Sequence, residues 1–432
     1  MKRWIIVLLF MAASVLPSAA EQRLIVRDNL GLNGIRLTCA ILNCTPGQSL
    51  GDPDGQLFLV TTNDLVSPTA FLTPLASQLG VVSVEVDRQL RLVGPFSTSI
   101  PETLTDSNLV VYYGAPVWNG YANQPASRIV RAAETQNAFH VTGAGTVAMI
   151  DTGVDTEHPA LSVVLVPGYD FTNNTPNADE KGALNHSSAA VLDGGPTEAL
   201  FVNPSTLAVV NQTTATFLSG GPYSGFGHGT MTAGVVHLVA PTAKIMPLKA
   251  FGSDGAGYVS NIVRAVYYAV GRGSKVISMS FSFDSSSKEL VKAINYANGR
   301  GVICVASAGN DGANVLVYPA ALSHVMGVAS TTDYDTRSNF SNYGSDVWVA
   351  APGEGIISTY PYGTYSAAWG TSFSAPFVAG TAALLVDVSA NVNQQKAAQA
   401  IAHAKWVSSD MGNGRLDTYT AVQAWISTSR WY

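Results

Sequence analysis

The chain reads as an α/β protein, with a mostly parallel sheet carrying helices on both faces and a small α+β unit in front of it. Three observations lead there. From about residue 127 onward, short apolar runs rich in β-branched residues alternate with runs of helical length. Ahead of that region a shorter set of strand and helix signals stands apart. Between the two lies linker-like composition, with Pro95, Pro101, Gly114, Pro116, Gly120 and Pro125.

In chain order, residues 57–63 predict a strand. Residues 67–79 predict a helix, opened by a Ser67 cap with Pro68 in its first turn. The alternation at 81–86 predicts a second strand, giving a βαβ-type core at about 57–93. Beyond the linker, strands are expected at 146–150, 243–250, 275–280 and 301–306. Helices are expected at 259–270, 289–298, 374–388 and 394–403. The stretch 172–225 is rich in Asn, Thr, Ser, Gly and Pro; it breaks the rhythm and predicts a long surface insertion.

Composition excludes several classes. Of 432 residues, 47% are hydrophobic and 12% charged, the reverse of a disordered chain. A net charge of −6 leaves no basic excess for phosphates, so nucleic acid is not an expected partner. Three cysteines are too few for a disulfide scaffold or a multi-cysteine metal site. Cys39 and Cys44, five positions apart, are compatible with a disulfide and equally with two free thiols; Cys304 lies in an apolar run and reads as a core residue.

Lys2 and Arg3 precede an apolar run over 4–16, and Ser18-Ala19-Ala20 supplies small residues before a cut. This predicts a cleaved secretory signal over 1–20, since the run is shorter than the roughly 20 residues of a spanning helix. No other stretch is expected to span, and no anchor precedes Tyr432. The product is expected outside the cytoplasm, extracellular or periplasmic, with no membrane attachment after signal removal.

Four segments carry chemistry. Asp151 ends the apolar strand of Ala148-Met149-Ile150-Asp151-Thr152-Gly153-Val154-Asp155. His228 opens a helical run inside Gly227-His228-Gly229-Thr230, where flanking glycines permit close backbone approach. Asn310 follows a strand in Ala306-Ser307-Ala308-Gly309-Asn310. Ser372 opens a helix in Gly370-Thr371-Ser372-Phe373-Ser374-Ala375-Pro376, where unpaired N–H groups and the dipole favour negative charge. A serine hydroxyl needs a base, an imidazole supplies one near neutral pH, a carboxylate orients the imidazole, and an amide steadies an oxyanion. Taken singly, each residue is ordinary: a turn Asp, a structural His, a turn Asn, an N-cap Ser. Together, each beside glycine at the end of an apolar segment, they compose an acyl-transfer site. His140, His158, His186, His237, His324 and His403 lack such settings, and Asp155 reads as a local hydrogen-bonding residue.

These segments resemble the signatures of the subtilisin-like serine proteases, the subtilase family, in the family's order Asp, His, Asn, Ser. The similarity runs over about residues 110–425 and includes Gly412-Asn413-Gly414-Arg415-Leu416-Asp417. The resemblance implies a secreted serine endopeptidase acting on protein or peptide substrates. Asp151, His228 and Ser372 would be its triad and Asn310 its oxyanion donor. It implies a prosegment over 21–105, acting as an intramolecular inhibitor, before a peptidase domain at 106–432. Gly255 and Gly257, in Asp254-Gly255-Ala256-Gly257-Tyr258, resemble one substrate-binding strand. Ser280, Ser282 and Phe283 stand where the family carries the other, a Ser-Leu-Gly-Gly-like edge. Phe283 in place of glycine is expected to crowd the side-chain pocket. Many subtilisins hold a tight calcium ion through an Asp after the His-Pro pair and a loop interrupting the catalytic histidine's helix. Here His158-Pro159 is followed by Ala160 and the helix has no room for that loop, so that metal site is expected to be absent and no cofactor is expected; Asp179, Glu180 and Asp193 in the insertion leave an unrelated, weaker calcium site open. Gly227-His228-Gly229-Thr230 argues against the sedolisins, which use Glu there. The rival readings are a non-catalytic subtilase-like protein that binds peptides without cutting, and an esterase using the same triad.

Overall fold

A computed structural model describes residues 22–62, 68–92, 101–181, 206–208 and 225–429. The predicted signal at 1–20 and most of the stretch 172–225 lie outside the described residues. The described residues form two compact units, divided at 49/50, 53/54 and 86/87.

The first unit is a four-stranded antiparallel sheet in the order Cys44–Ser49, Leu57–Thr62, Gln22–Asp28, Val81–Val86, with helices Gly31–Leu42 and Pro68–Ala76. Leu24, Val26, Ile35, Phe58, Val60 and Leu75 make its core. Strands 57–62 and 81–86 stand where the sequence predicts them, but they are not neighbours. Gln22–Asp28 lies between them, antiparallel to both, so the unit is a split βαβ. The sequence reading missed the first strand, first helix and second strand. Gly31 and Gly34 dilute the helical signal, and Pro46 and Gly47 interrupt the strand. Asn43 closes that helix in the left-handed region at φ 54°, and the Cys39–Cys44 disulfide spans the cap.

The second unit is built on a seven-stranded sheet. Its order is Val347–Pro352, Met326–Thr331, Ile303–Ser307, Val276–Met279, Thr146–Asp151, Lys244–Lys249, Tyr169–Asp170, and every pairing is parallel. The strands are short, apolar and buried on both faces, as parallel strands must be. Helices Val259–Gly271 and Lys288–Gly299 stand where predicted, the latter capped by the Ser287 hydroxyl accepting from the Leu290 N–H. Cys304 is buried, and burial pushes its thiol up to about 12.

The helix Thr371–Val388 corrects the expectation that no segment after the signal is apolar enough to span a membrane. It is long and apolar enough, yet 83% of it is buried inside the unit. Phe373, Phe377, Val378, Leu384 and Leu385 are packed in the core. The stretch expected as a surface insertion also starts inside. Ala178 and Glu180 are buried, because the Val154 N–H donates to the Ala178 carbonyl and the Glu180 N–H to the Val154 carbonyl.

Candidate active site

The carboxyl edge of a parallel sheet exposes strand ends and helix starts, which is where α/β proteins gather reactive groups. Asp151 is the last residue of its strand, between Lys244–Lys249 and Val276–Met279. His228 is the first residue of the helix His228–Val239, and Ser372 the second of the helix Thr371–Val388. Asn310 follows the strand Ile303–Ser307 by three residues.

The Gly-His-Gly sequence has a steric cause. Gly227 sits at φ 85°, and a Cβ there would lie 2.1 Å from the Tyr360 ring. A Cβ on Gly229 would lie 2.0 Å from the Gly153 carbonyl oxygen. Glycine at 229 lets the helix start press against the loop that follows Asp151, and glycine at 227 lets it press against the Tyr360 ring.

His228 Nδ1 and Asp151 Oδ1 are 2.7 Å apart, and both residues are buried. The Thr152 N–H donates to the same Oδ1 at 2.8 Å, and the Thr232 hydroxyl lies 3.1 Å from Oδ2. Burial opposes charge on His228, but the Asp151 carboxylate outweighs it by charge and hydrogen bond, so the imidazole's pKa lies above its ordinary value. An imidazole so held presents its other nitrogen, Nε2, for proton transfer.

The residue after Ser372, Phe373, packs its ring on the His228 ring with centroids 5.4 Å apart. The Ser372 hydroxyl donates to the Ser280 carbonyl at 3.0 Å. Turning about one side-chain bond releases it from that oxygen. Asn310 Oδ1 accepts from the Thr371 N–H at 2.9 Å and from its hydroxyl at 3.0 Å. A backbone N–H can only donate, so the amide orientation is determined: Oδ1 faces Thr371 and the NH₂ faces the other way.

Ser280 is buried and Ser282 half-buried. Phe283 departs from its expected place. Its ring is buried against Tyr318, and its N–H and carbonyl bond the Tyr318 backbone at 2.9 and 2.8 Å. Its main chain is therefore taken, and it offers an incoming peptide no strand edge.

On the opposite side, the sequence reading missed an occupant. Residues 89–91 lie antiparallel on Ala256–Tyr258, pairing Arg91 with Ala256, Leu90 with Gly257 and Gln89 with Tyr258. The Leu92 N–H extends the ladder to the Gly255 carbonyl at 2.8 Å. Asp87 caps the helix Val259–Gly271, accepting the Ser260 N–H at 2.8 Å and its hydroxyl at 2.7 Å. Arg88 reaches the Ser285 and Ser286 carbonyls. No local spacing signals this pairing, because the capped helix lies some 170 residues further on.

Glu180, which the sequence offers only as one of the acidic residues of the insertion, lies behind the site, and Lys249, which the sequence reading missed, lies there too. Both are buried to 1% exposure or less, and the Lys249 ammonium donates to the Thr152 carbonyl at 2.5 Å. Burial pushes the pKa of Lys249 down. Among the described residues no group of three or more His, Cys, Asp or Glu is arranged around a metal position.

Comparison with known proteins gives the family. Residues 143–422 match the family model described as the Subtilase family, and the four chemical residues fall inside that span. The chain belongs to the subtilase family. It is 33% identical over 289 residues to thermitase of Thermoactinomyces vulgaris, covering 64% of this chain and 88% of that one. It is 33% identical over 280 residues to the thermophilic serine proteinase of Bacillus sp. (strain AK1), covering 64% and 61%. It is 39% identical over 182 residues to subtilisin BL of Lederbergia lenta, covering 40% and 68%. The crystal structure of a lanthipeptide protease superposes with a TM-score of 0.54 at 25% identity, covering 70% of this chain and 95% of that chain. The chain is a serine-type endopeptidase.

Proposed function

We propose that the chain is a secreted endopeptidase that cleaves peptide bonds with Asp151, His228 and Ser372 as its triad and Asn310 in its oxyanion hole. The observation that carries this is the buried 2.7 Å contact of Asp151 with His228 Nδ1. Asp151 holds the imidazole with Nε2 as the proton acceptor. Ser372 Oγ leaves the Ser280 carbonyl, passes its proton to Nε2 and bonds the peptide carbonyl carbon. The Asn310 amide and the Ser372 N–H, at a helix start, receive the negative oxygen. His228 returns the proton to the departing amine, and water releases the acyl group by the same route.

The substrate adds a strand along Gly255–Tyr258, as residues 89–92 do here. In the precursor that tail fills the strand edge, so the prosegment at 21–105 acts as the protein's own inhibitor until it is cut. The segment 93–100, between the tail and the remainder of the peptidase unit, lies outside the described residues. The signal at 1–20 directs export.

The test is hydrolysis of a peptide library by the purified protein and by Ser372→Ala. The variant is expected to lose on the order of 10⁶ in kcat, the scale measured for a subtilisin, and to accumulate as uncut precursor. Peptide cleavage by Ser372→Ala within tenfold of the parent would remove Ser372 as the nucleophile. A parent that binds peptides without cutting them would make the chain a binding protein.

A further inference from the structure

The triad is backed by a second buried carboxylate, Glu180, which is wholly without solvent exposure. Four donors converge on it. Oε1 accepts the Gly227 N–H at 2.8 Å and the Thr152 hydroxyl at 2.5 Å. Oε2 accepts the Thr230 N–H at 3.2 Å and the Thr230 hydroxyl at 2.5 Å. Both hydroxyls already accept backbone donors, Thr152 from the Gly229 N–H and Thr230 from the Asp155 N–H. A carboxylate oxygen can only accept, so the hydroxyls donate to Glu180; for Thr152 the other acceptor in reach, Asp151 Oδ1, is farther away at 3.4 Å.

These partners belong to two elements. Thr152 follows Asp151 in the strand-end loop; Gly227 precedes His228, and Thr230 lies in the same first helical turn. Glu180 thus joins the segment that carries the carboxylate to the one that carries the imidazole. It touches neither Asp151 nor His228 by hydrogen bond. We propose that Glu180 is a positioning residue for peptide hydrolysis, fixing the separation and angle between Asp151 and His228 through Thr152 and the helix start. The inference rests on the triad proposed above.

The charged groups around Glu180 are Asp151, His228 and Lys249, with the Tyr360 phenol alongside. Burial raises the Glu180 carboxyl to about 7, and its threonine hydrogen bonds and Lys249 oppose that rise. When ionised, Glu180 adds to the field that raises the pKa of His228.

Glu180→Gln tests this. An amide keeps the volume, but whichever way it turns, its NH₂ end meets a backbone N–H, at Gly227 or Thr230, that can only donate. The expected result is a kcat about ten- to a hundredfold lower with KM within twofold, the scale of a small displacement of reacting groups. The acid limb of the kcat/KM profile should move to lower pH, because His228 loses a neighbouring negative charge. Fold is checked by circular dichroism and thermal unfolding in the Ser372→Ala background. If Glu180→Gln fails to fold, Thr152→Val and Thr152→Ser decide: the first removes the bridge and should lower kcat, the second keeps the hydroxyl and should restore it. Parental kcat and acid limb in a folded Glu180→Gln, or parental kcat in Thr152→Val, overturns the inference. A parent without peptide hydrolysis, checked beside Ser372→Ala, removes the triad reading and takes this inference with it.

Discussion

The helix His228–Val239 carries a buried histidine at each end, and the two are pushed in opposite directions. His228 and His237 are 2% and 1% exposed, so both have lost water to the same degree. His228 meets the Asp151 carboxylate, and its pKa rises. His237 meets the Tyr121 hydroxyl and the Tyr112 ring, with His158 nearby, and burial lowers it to about 4. The helix dipole favours the reverse assignment, a cation at the carboxyl end and none at the amino end. Its effect is about 0.3–1 kcal/mol per charge. A directly bonded carboxylate in a buried setting outweighs that. Burial sets the cost of charge at both ends, and the partner decides its sign.

The strongest way to break this contrast is to make the first end resemble the second. Asp151→Asn keeps the shape and removes the charge. The expected loss is about 10⁴ in kcat, the cost in serine proteases of losing the carboxylate that holds the imidazole. Steady-state peptide hydrolysis measures it, and a loss under tenfold would mean that Asp151 does not set the state of His228.

The second test uses pH. Above about pH 6.5 folded and unfolded chains both keep His237 neutral. Between about 6.5 and about 4 the unfolded chain takes up a proton that the folded one refuses, so stability falls as pH falls, by about 3 kcal/mol. Below about 4 this group costs nothing further. Glu180 acts the other way: its carboxyl, at about 7 when folded against 4.5, binds a proton preferentially in the folded state and adds stability as pH falls through that window. Comparison with His237→Gln in the Ser372→Ala background isolates the histidine. The variant's unfolding midpoint should fall less with acid than the parent's. His158, also lowered by burial, keeps part of the slope in both. Equal slopes would mean that His237 does not resist protonation.

The smallest effect sharpens the picture of the second end. The Tyr121 hydroxyl donates to the Gly234 carbonyl at 2.7 Å, so it receives the His237 Nδ1–H, 3.2 Å away. Tyr121→Phe leaves that N–H unpaired, and should cost about 1 kcal/mol by denaturant unfolding while kcat stays at the parental value. Unchanged stability would mean that the contact holds nothing.

The strand ends and helix starts that carry the four candidate residues were legible because their signals are local. Asp151, His228, Asn310 and Ser372 each stand within two residues of a glycine at the end of an apolar run, and that arrangement is written in consecutive letters. The parallel sheet was legible for the same reason, through the alternation of strand and helix runs. What was missed is non-local. Glu180 sits in polar sequence with no periodicity, and is buried only because residues 178–180 pair with Val154. Residues 87–92 read as the end of a small βαβ unit, yet they join an edge strand near residue 257. Phe283 follows a recognisable pattern with one residue changed, and sequence alone does not tell a ring turned into a pocket from one packed on Tyr318.

The double hold of Thr371 on Asn310 has a mechanical consequence. Thr371 is the residue directly before Ser372, so the amide is lashed to the helix that bears the hydroxyl. When thermal motion lifts that helix end, hydroxyl and amide travel as one body. In the proposed mechanism, the gap between the attacking hydroxyl and the amide that receives the oxygen then varies less than either position does. The Ser280 carbonyl, one residue past the strand Val276–Met279, meets that body at the Ser372 hydroxyl.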